Sequence, residues 1–213
     1  MSPRAYRSEG RQVASTETRQ RILDAARSML RDEGPVNFTI DAIAEQAGVA
    51  RMTVYYQFKS KRGLVEAISD DLAMQGGISR LPEAFKVSDA WDGLTILVEV
   101  FVRFWASDRL VLQRLRALST LDPELAHEDR NQRRRQAIVV LLQRLAAQRG
   151  TPPPEDFERS ADLILILTSF EAFETLSAGD RDPDAVARLV TSALERLLGR
   201  PDGAPQADSA PTR

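Results

Sequence analysis

Apolar positions recur at helical spacing along most of the chain. Ile22, Leu23, Ala26, Met29 and Leu30 fall at i, i+1, i+4, i+7 and i+8, which predicts a helix from about Thr18. The run "DEGP" at 32–35 ends it, because Gly and Pro stop helices. Thr39 is placed to cap a short second helix reaching about Ala47, with Ile40, Ile43, Ala44 and Ala47 apolar. Gly48 breaks that helix, and a third follows at about 51–58. Ser60 can cap a fourth that starts at Lys61 and runs to about 75, before Gly76-Gly77. Further helices are expected at 89–106, from the Asp108 cap to about Ser119, and from Asp122-Pro123 to about Arg149. "GTPPP" at 150–154 is a rigid break, and 155–177 and 184–198 close the series. No stretch alternates with period two and no internal repeat is visible, so the expected fold class is all-α.

The two ends differ from this pattern. Residues 1–15 lack periodicity and read as a flexible basic arm carrying Arg4, Arg7 and Arg11, a candidate for minor-groove contact. Residues 199–213 are rich in Pro, Gly, Ala and Ser and read as a disordered tail. The expected division is therefore arm 1–15, a first helical domain 16–62, a larger one 63–198, and tail 199–213.

Net charge is −2, which taken whole argues against a polyanion as partner. Its distribution reverses that: residues 1–62 hold 11 Lys/Arg against 7 Asp/Glu, and the remainder 18 against 24. A basic first third on an acidic body suggests that one end meets nucleic acid. There is no cysteine, which excludes disulfides and thiolate chemistry and fits a cytoplasmic location. His127 is the single histidine, so neither a metal cluster nor a catalytic triad is supported; no metal, cofactor or enzymatic activity is expected. The longest apolar runs, such as "LILIL" at 163–167, fall far short of the roughly 18 residues of a membrane span. No apolar stretch follows the first arginines, so no secretory signal is expected.

The second and third helices carry the chemistry. Two short helices joined by a tight turn with Gly make a helix-turn-helix candidate. Ala44 is small enough for a close crossing, Gly48 tolerates the turn, and Val54 drives back into the crossing beside Ile43, Ala47, Val49 and Phe58. That leaves Arg51, Met52, Thr53, Tyr55, Tyr56 and Gln57 facing outward, where a recognition helix meets the major groove. A tyrosine can lay its ring on the sugar-phosphate wall and donate its hydroxyl to phosphate. Thr53 can donate to phosphate or touch a thymine methyl, and Arg51 can reach guanine O6/N7. Lys61 adds a charge at a helix N-terminus, which also favours phosphate. An ordinary helical hairpin with polar outer residues fits the same spacing.

The stretch "TRQRILDAARSMLRDEG…FTIDAIAEQAGVARMTVYYQFKSKRGLVEAI", about Thr18 to Ile68, resembles the N-terminal domain of the TetR family of bacterial transcriptional repressors. That resemblance implies a three-helix DNA-binding domain followed by a larger helical ligand-binding and dimerisation domain. It implies DNA contacts at Thr39, Arg51, Met52, Thr53, Tyr55, Tyr56, Gln57 and Lys61, and an effector site between the central helices. Gln57 stands where the family usually has histidine; its amide can still donate to a phosphate.

Beyond residue 68 the sequence supports coarser expectations. The helix at 89–106 is apolar nearly all round and belongs inside the body. Glu99 and Arg103, four apart on it, form either a surface ion pair or one wall of the effector site. Met74, Phe101, Phe104 and Trp105 are the apolar candidates for that wall, each also able to serve as plain core. "RNQRRRQ" at 130–136 reads as a solvated, charge-balanced face, and His127 as an exposed helix residue. The last two helices each carry more apolar surface than a peripheral helix can bury alone. Ile164, Leu165, Phe170, Phe173, Leu189, Ala193 and Leu197 are candidates for a homodimer interface; the alternative is that the helix is central.

The expected function is a ligand-responsive repressor that binds a palindromic operator in double-stranded DNA as a homodimer and is released by a small, largely apolar effector. An all-α adaptor using the helix-turn-helix surface for protein contact is the alternative, against which the polar outward set argues.

Overall fold

The computed structural model describes residues 3–125, 128–150 and 157–199, and side chains from residue 12 onward, those of 128 and 129 excepted. His127, the side chains of Arg4, Arg7 and Arg11, most of "GTPPP" and the tail from 200 lie outside the described residues. The described chain is all helical, in the order α1 (Pro3–Asp32), α2 (Ile40–Gln46), α3 (Arg51–Phe58), α4 (Lys61–Gln75), a 3₁₀ stretch (Ile78–Phe85), α5 (Ala90–Ser107), α6 (Arg109–Leu121), a 3₁₀ turn (Pro123–Leu125), α7 (Glu128–Arg149), α8 (Phe157–Leu167), α9 (Phe170–Leu176) and α10 (Pro183–Leu198).

The capping signals account for most boundaries. The side chains of Thr39, Ser60, Asp89, Asp108, Ser169 and Asp182 each accept a backbone N–H from the first turn of the helix they open. Three boundaries differ from the sequence reading. Helix α1 already begins at Pro3, where an irregular arm is expected; proline suits a first helical position and only Gly10 interrupts the segment that follows. Asp122-Pro123 opens a single 3₁₀ turn, and the long helix starts later, at Glu128. The expected helix 155–177 is two helices, because the Ser169 hydroxyl caps a fresh start at Phe170.

Helices α1, α2 and α3 pack with the start of α4 around Ile22, Leu30, Phe38, Ile43, Val54 and Leu64. The body is organised on α5, which contacts the Ile78–Phe85 stretch, α4, α6, α7, α9 and α10. Leu94, Leu97 and Val98 are fully buried there, as the all-round apolar pattern requires.

The break between α8 and α9 reorders the expected dimer face. Ile164, Phe170 and Phe173 are buried in the chain's own core, and Leu165 is half-buried against it. A helix pattern carries its phase only while the helix continues, so the turn at Thr168 redirects every position after it. Of the expected set, Leu189 and Leu197 on α10 are exposed and Ala193 is half-buried, while on α8 the outward apolar residues are Leu163 and Ile166.

Candidate nucleic-acid interface and effector cavity

The helix-turn-helix forms as its spacing demands. Ala44 and Val54 are buried at the α2–α3 crossing, with Ile43, Ala47 and Phe58 beside them and Val49 partly covered. Gly48 turns the chain at φ 64°, a left-handed conformation that disfavours any residue with a Cβ. Its N–H donates to the Glu45 carbonyl and that of Val49 to the Ala44 carbonyl, closing the end of α2. A second close approach fixes α4. A Cβ on Gly63 would lie 2.1 Å from the Phe58 carbonyl oxygen, so only glycine lets the first turn of α4 sit on the end of α3.

The outward surface holds most of the expected set. Arg51, Met52 and Tyr56 are exposed, Tyr56 by 74%, and Thr53 and Tyr55 are half-exposed on the same helix. Thr39 is exposed, its hydroxyl accepting the Ala42 N–H at 3.3 Å. Arg51 donates to the Asp41 carboxylate at 3.0 Å and to the Tyr55 hydroxyl at 3.3 Å, and its guanidinium lies 5.5 Å from the Tyr55 ring centroid. The hydrogen bond to Tyr55 and then the Asp41 charge raise its pKa above the ordinary guanidinium value. Lys59 sits over the Tyr56 ring at 5.4 Å. Lys61 lies 3.8 Å from the Asp122 carboxylate.

Gln57 is engaged within the chain. Its amide donates to the Ser15 carbonyl at 3.3 Å and hydroxyl at 3.0 Å, while its backbone carbonyl accepts from Arg19 at 3.0 Å. The Arg19 guanidinium also covers the Phe58 ring at 4.3 Å. Gln57 therefore clamps α3 to α1 instead of standing free for phosphate. Position alone could not show this, because Ser15 lies 42 residues away in sequence.

A cavity of about 790 Å³ opens in the body between α4, α5, α6 and α7. Phe101, Phe104 and Trp105 are among its lining residues. Met74, Glu99 and Arg103 are not among the lining residues. Met74 is exposed, and Arg103 pairs with Asp184 on α10 at 3.5 Å instead of with Glu99. Helical phase explains the split: at about 100° per residue, positions 99 and 103 point roughly opposite to 101. The other walls bring Asp70 from α4, Arg116 from α6, Arg130, Arg133 and Arg134 from α7, and Glu171 from α9.

One arginine of the run departs from the solvated, charge-balanced face its composition suggests. Arg134 is only 7% exposed. It sits on the stripe of Ile138, Leu141, Leu142 and Leu145, at i, i+4, i+7, i+8 and i+11, a signal readable in the sequence. Arg130 reaches α4, donating to the Glu66 carbonyl at 3.1 Å and the Asp70 carboxylate at 2.9 Å.

Residues 22–68 match the family model of bacterial regulatory proteins, tetR family. Over that segment the chain is similar to the TetR family. It is 44% identical over 52 residues to the HTH-type transcriptional regulator TtgW of Pseudomonas putida, covering 24% of this chain and 39% of that one. It is 29% identical over 182 residues to the regulator YdeS of Bacillus subtilis (strain 168), covering 84% and 88%. The match spans only 39% and 24% of the length of TtgW and of the Pseudomonas putida regulator SrpR. In fold, it resembles the transcriptional regulator FadR from Bacillus subtilis in complex with stearoyl-CoA. The TM-score is 0.64 at 22% identity, over 82% of this chain and 96% of that one. Among the described residues, no helix is long and apolar enough to cross a membrane.

Ion pairs join α1 to α4 and to the start of α6. Arg27 on α1 donates to Asp71 at 2.9 Å and to Asp108 at 3.4 Å, and Arg31 donates to Asp108 at 2.5 Å. Arg114 on α6 donates to the Leu30 and Arg31 carbonyls, which the end of α1 leaves without helical partners. These contacts were not readable in advance, since each spans 44 to 84 residues.

Proposed function

We propose that this regulator is a cytoplasmic, ligand-responsive repressor that binds a palindromic operator as a homodimer and releases it when a small molecule fills the body cavity. One observation carries the reading. Helix α4 begins against the recognition helix, with Lys61 in its first turn, and its later residues Ser69, Asp70 and Ala73 line the cavity. A single rigid helix therefore touches both sites. A ligand that prefers a tilted α4 changes the placement of α3, and it can shift the equilibrium only by that preference. A coupling of about 1–3 kcal/mol weakens operator binding about 5–150-fold.

The DNA contacts in this reading are Thr39, Arg51, Met52, Thr53, Tyr55, Tyr56 and Lys61, with Gln57 as a clamp behind them. The relatives support regulation by small molecules: regulators of the same fold are found with choline and with stearoyl-CoA. The apolar residues Leu163, Ile166, Leu189 and Leu197, exposed on neighbouring helices, support a two-fold interface on α8 and α10.

Binding-site selection on genomic DNA followed by footprinting tests the proposal. Two inverted half-sites are expected, centred about 34–36 Å apart or a multiple of that. Protection of one asymmetric site by a monomer refutes it.

A further inference from the structure

The cavity holds a cation that the protein does not neutralise. Arg134 is 7% exposed, and no carboxylate among the described residues pairs with it. Its hydrogen bonds go to neutral oxygens, the Thr168 carbonyl at 2.9 Å and the Asn131 side-chain oxygen at 3.1 Å. Its Nε is buried without a partner. A guanidinium has five N–H donors, and two are used here. Phe101 and Trp105 lie against it at 5.3 and 5.8 Å, which stabilises the cation without occupying the donors at its edge.

The neighbours do not supply the missing charge. Arg116 is paired with Glu171, and Arg130 with Asp70. Arg133 lies at the exposed rim. The lining residues therefore hold four arginines against two carboxylates. Burial, and then repulsion from Arg116, push Arg134 down to about 10, so it remains protonated at neutral pH. A buried unpaired charge is costly, and an incoming anion removes that cost. Ile78, Leu81, Phe104, Leu112 and Leu115 supply apolar lining to the same cavity.

Resting on the reading of this cavity as the effector site, we propose that the effector is an amphipathic monoanion, a carboxylate on an apolar body. Its carboxylate bonds the edge of Arg134, and its body lies along Phe104, Leu112 and Leu115. One unneutralised guanidinium matches one negative charge, and the planar fork of donors matches a carboxylate. The volume is that of an ordinary small-molecule site. Such an effector keeps the largely apolar body expected from the sequence and adds one charge, without which Arg134 stays unpaired.

The test titrates the full chain, by calorimetry at pH 7.5, with two matched series: decanoate, decanol and decyltrimethylammonium, and 4-phenylbutyrate, 4-phenylbutanol and 4-phenylbutylammonium. At least one carboxylate is expected to bind about tenfold or more tightly than its alcohol and its ammonium. Arg134→Met should reduce that carboxylate to the affinity of the alcohol and leave the alcohol unchanged; Arg134→Lys should keep part of the preference. Equal binding of alcohol or ammonium, undiminished carboxylate binding to Arg134→Met, or no binding by either carboxylate overturns the proposal. The wild-type charge series decides even if Arg134→Met does not fold. Operator affinity measured with the bound carboxylate separates the two claims. A carboxylate held by Arg134 that leaves DNA binding unchanged upholds this site and refutes the release mechanism.

Discussion

Asp108 is the point at which the DNA-binding domain and the body share a charge, and its removal has a calculable effect. Its side chain is only 10% exposed and performs three tasks. It caps α6 by accepting the Val111 N–H at 3.4 Å, and it receives Arg27 at 3.4 Å and Arg31 at 2.5 Å. Asp108→Ala removes all three. The cap contributes up to about 1 kcal/mol, less here because the bond is long. Arg31 is half-exposed, so its pair contributes about 0.5 kcal/mol after solvent screening. Arg27 keeps Asp71 at 2.9 Å and loses about 0.5–1 kcal/mol. The expected loss is about 2 kcal/mol, or about 4–8 °C in Tm for a chain of this size. Asp108→Asn keeps a capping oxygen and loses the charge, so its loss should be about half. Urea denaturation followed by circular dichroism and tryptophan fluorescence measures both variants. An Asp108→Ala protein within about 0.5 kcal/mol of wild type refutes the assignment, and equal losses for both variants would remove the cap from the account.

Three further outcomes follow from named contacts. Holding the charge on Arg134 costs about 3 kcal/mol at roughly 1.4 kcal/mol per pKa unit. Arg134→Met should therefore be more stable without ligand, by about 1 kcal/mol once the lost hydrogen bonds and ring contacts are subtracted. The folded pKa is depressed, so the unfolded chain binds more protons above about pH 10; the wild type should gain on the variant as pH rises through that value, and a gap constant to pH 11 contradicts the burial argument. Asp41→Asn frees Arg51 and removes a negative charge beside the proposed DNA contacts, so affinity for random duplex should rise about 2–5-fold in fluorescence anisotropy, with a steeper salt dependence; an unchanged slope argues against Arg51 at the interface. Gln57→Ala and Ser15→Ala should each lower stability by about 1 kcal/mol and, combined, by no more than one of them alone; additive losses in that double-mutant cycle rule out the clamp.

The helix-turn-helix was determined by the sequence because its constraints are local. Ala44, Gly48 and Val54 lie within ten residues of one another, and each answers to a steric demand of the crossing or the turn. The capped starts at Thr39, Ser60, Asp108 and Asp182 were readable for the same reason: a cap bonds its own first turn. The outward placement of Arg51, Met52 and Tyr56 then follows from helical phase. Gln57 could not be placed this way, because its partner Ser15 arrives from another helix. The same holds for the body. Periodicity shows that α5 is surrounded, yet which neighbour meets which flank depends on packing, so Phe101 and Trp105 reach the cavity while Arg103 turns to Asp184. Thr168 is the sharpest instance. Its carbonyl accepts both Trp105 and Arg134 at the break between α8 and α9. Those donors lie 63 and 34 residues away, and only the tertiary fold brings them to one oxygen. That junction redirects the final helices and buries Ile164, Phe170 and Phe173. It also helps hold an unpaired guanidinium beside the cavity, because side chains distant along the chain set the environment of a charge.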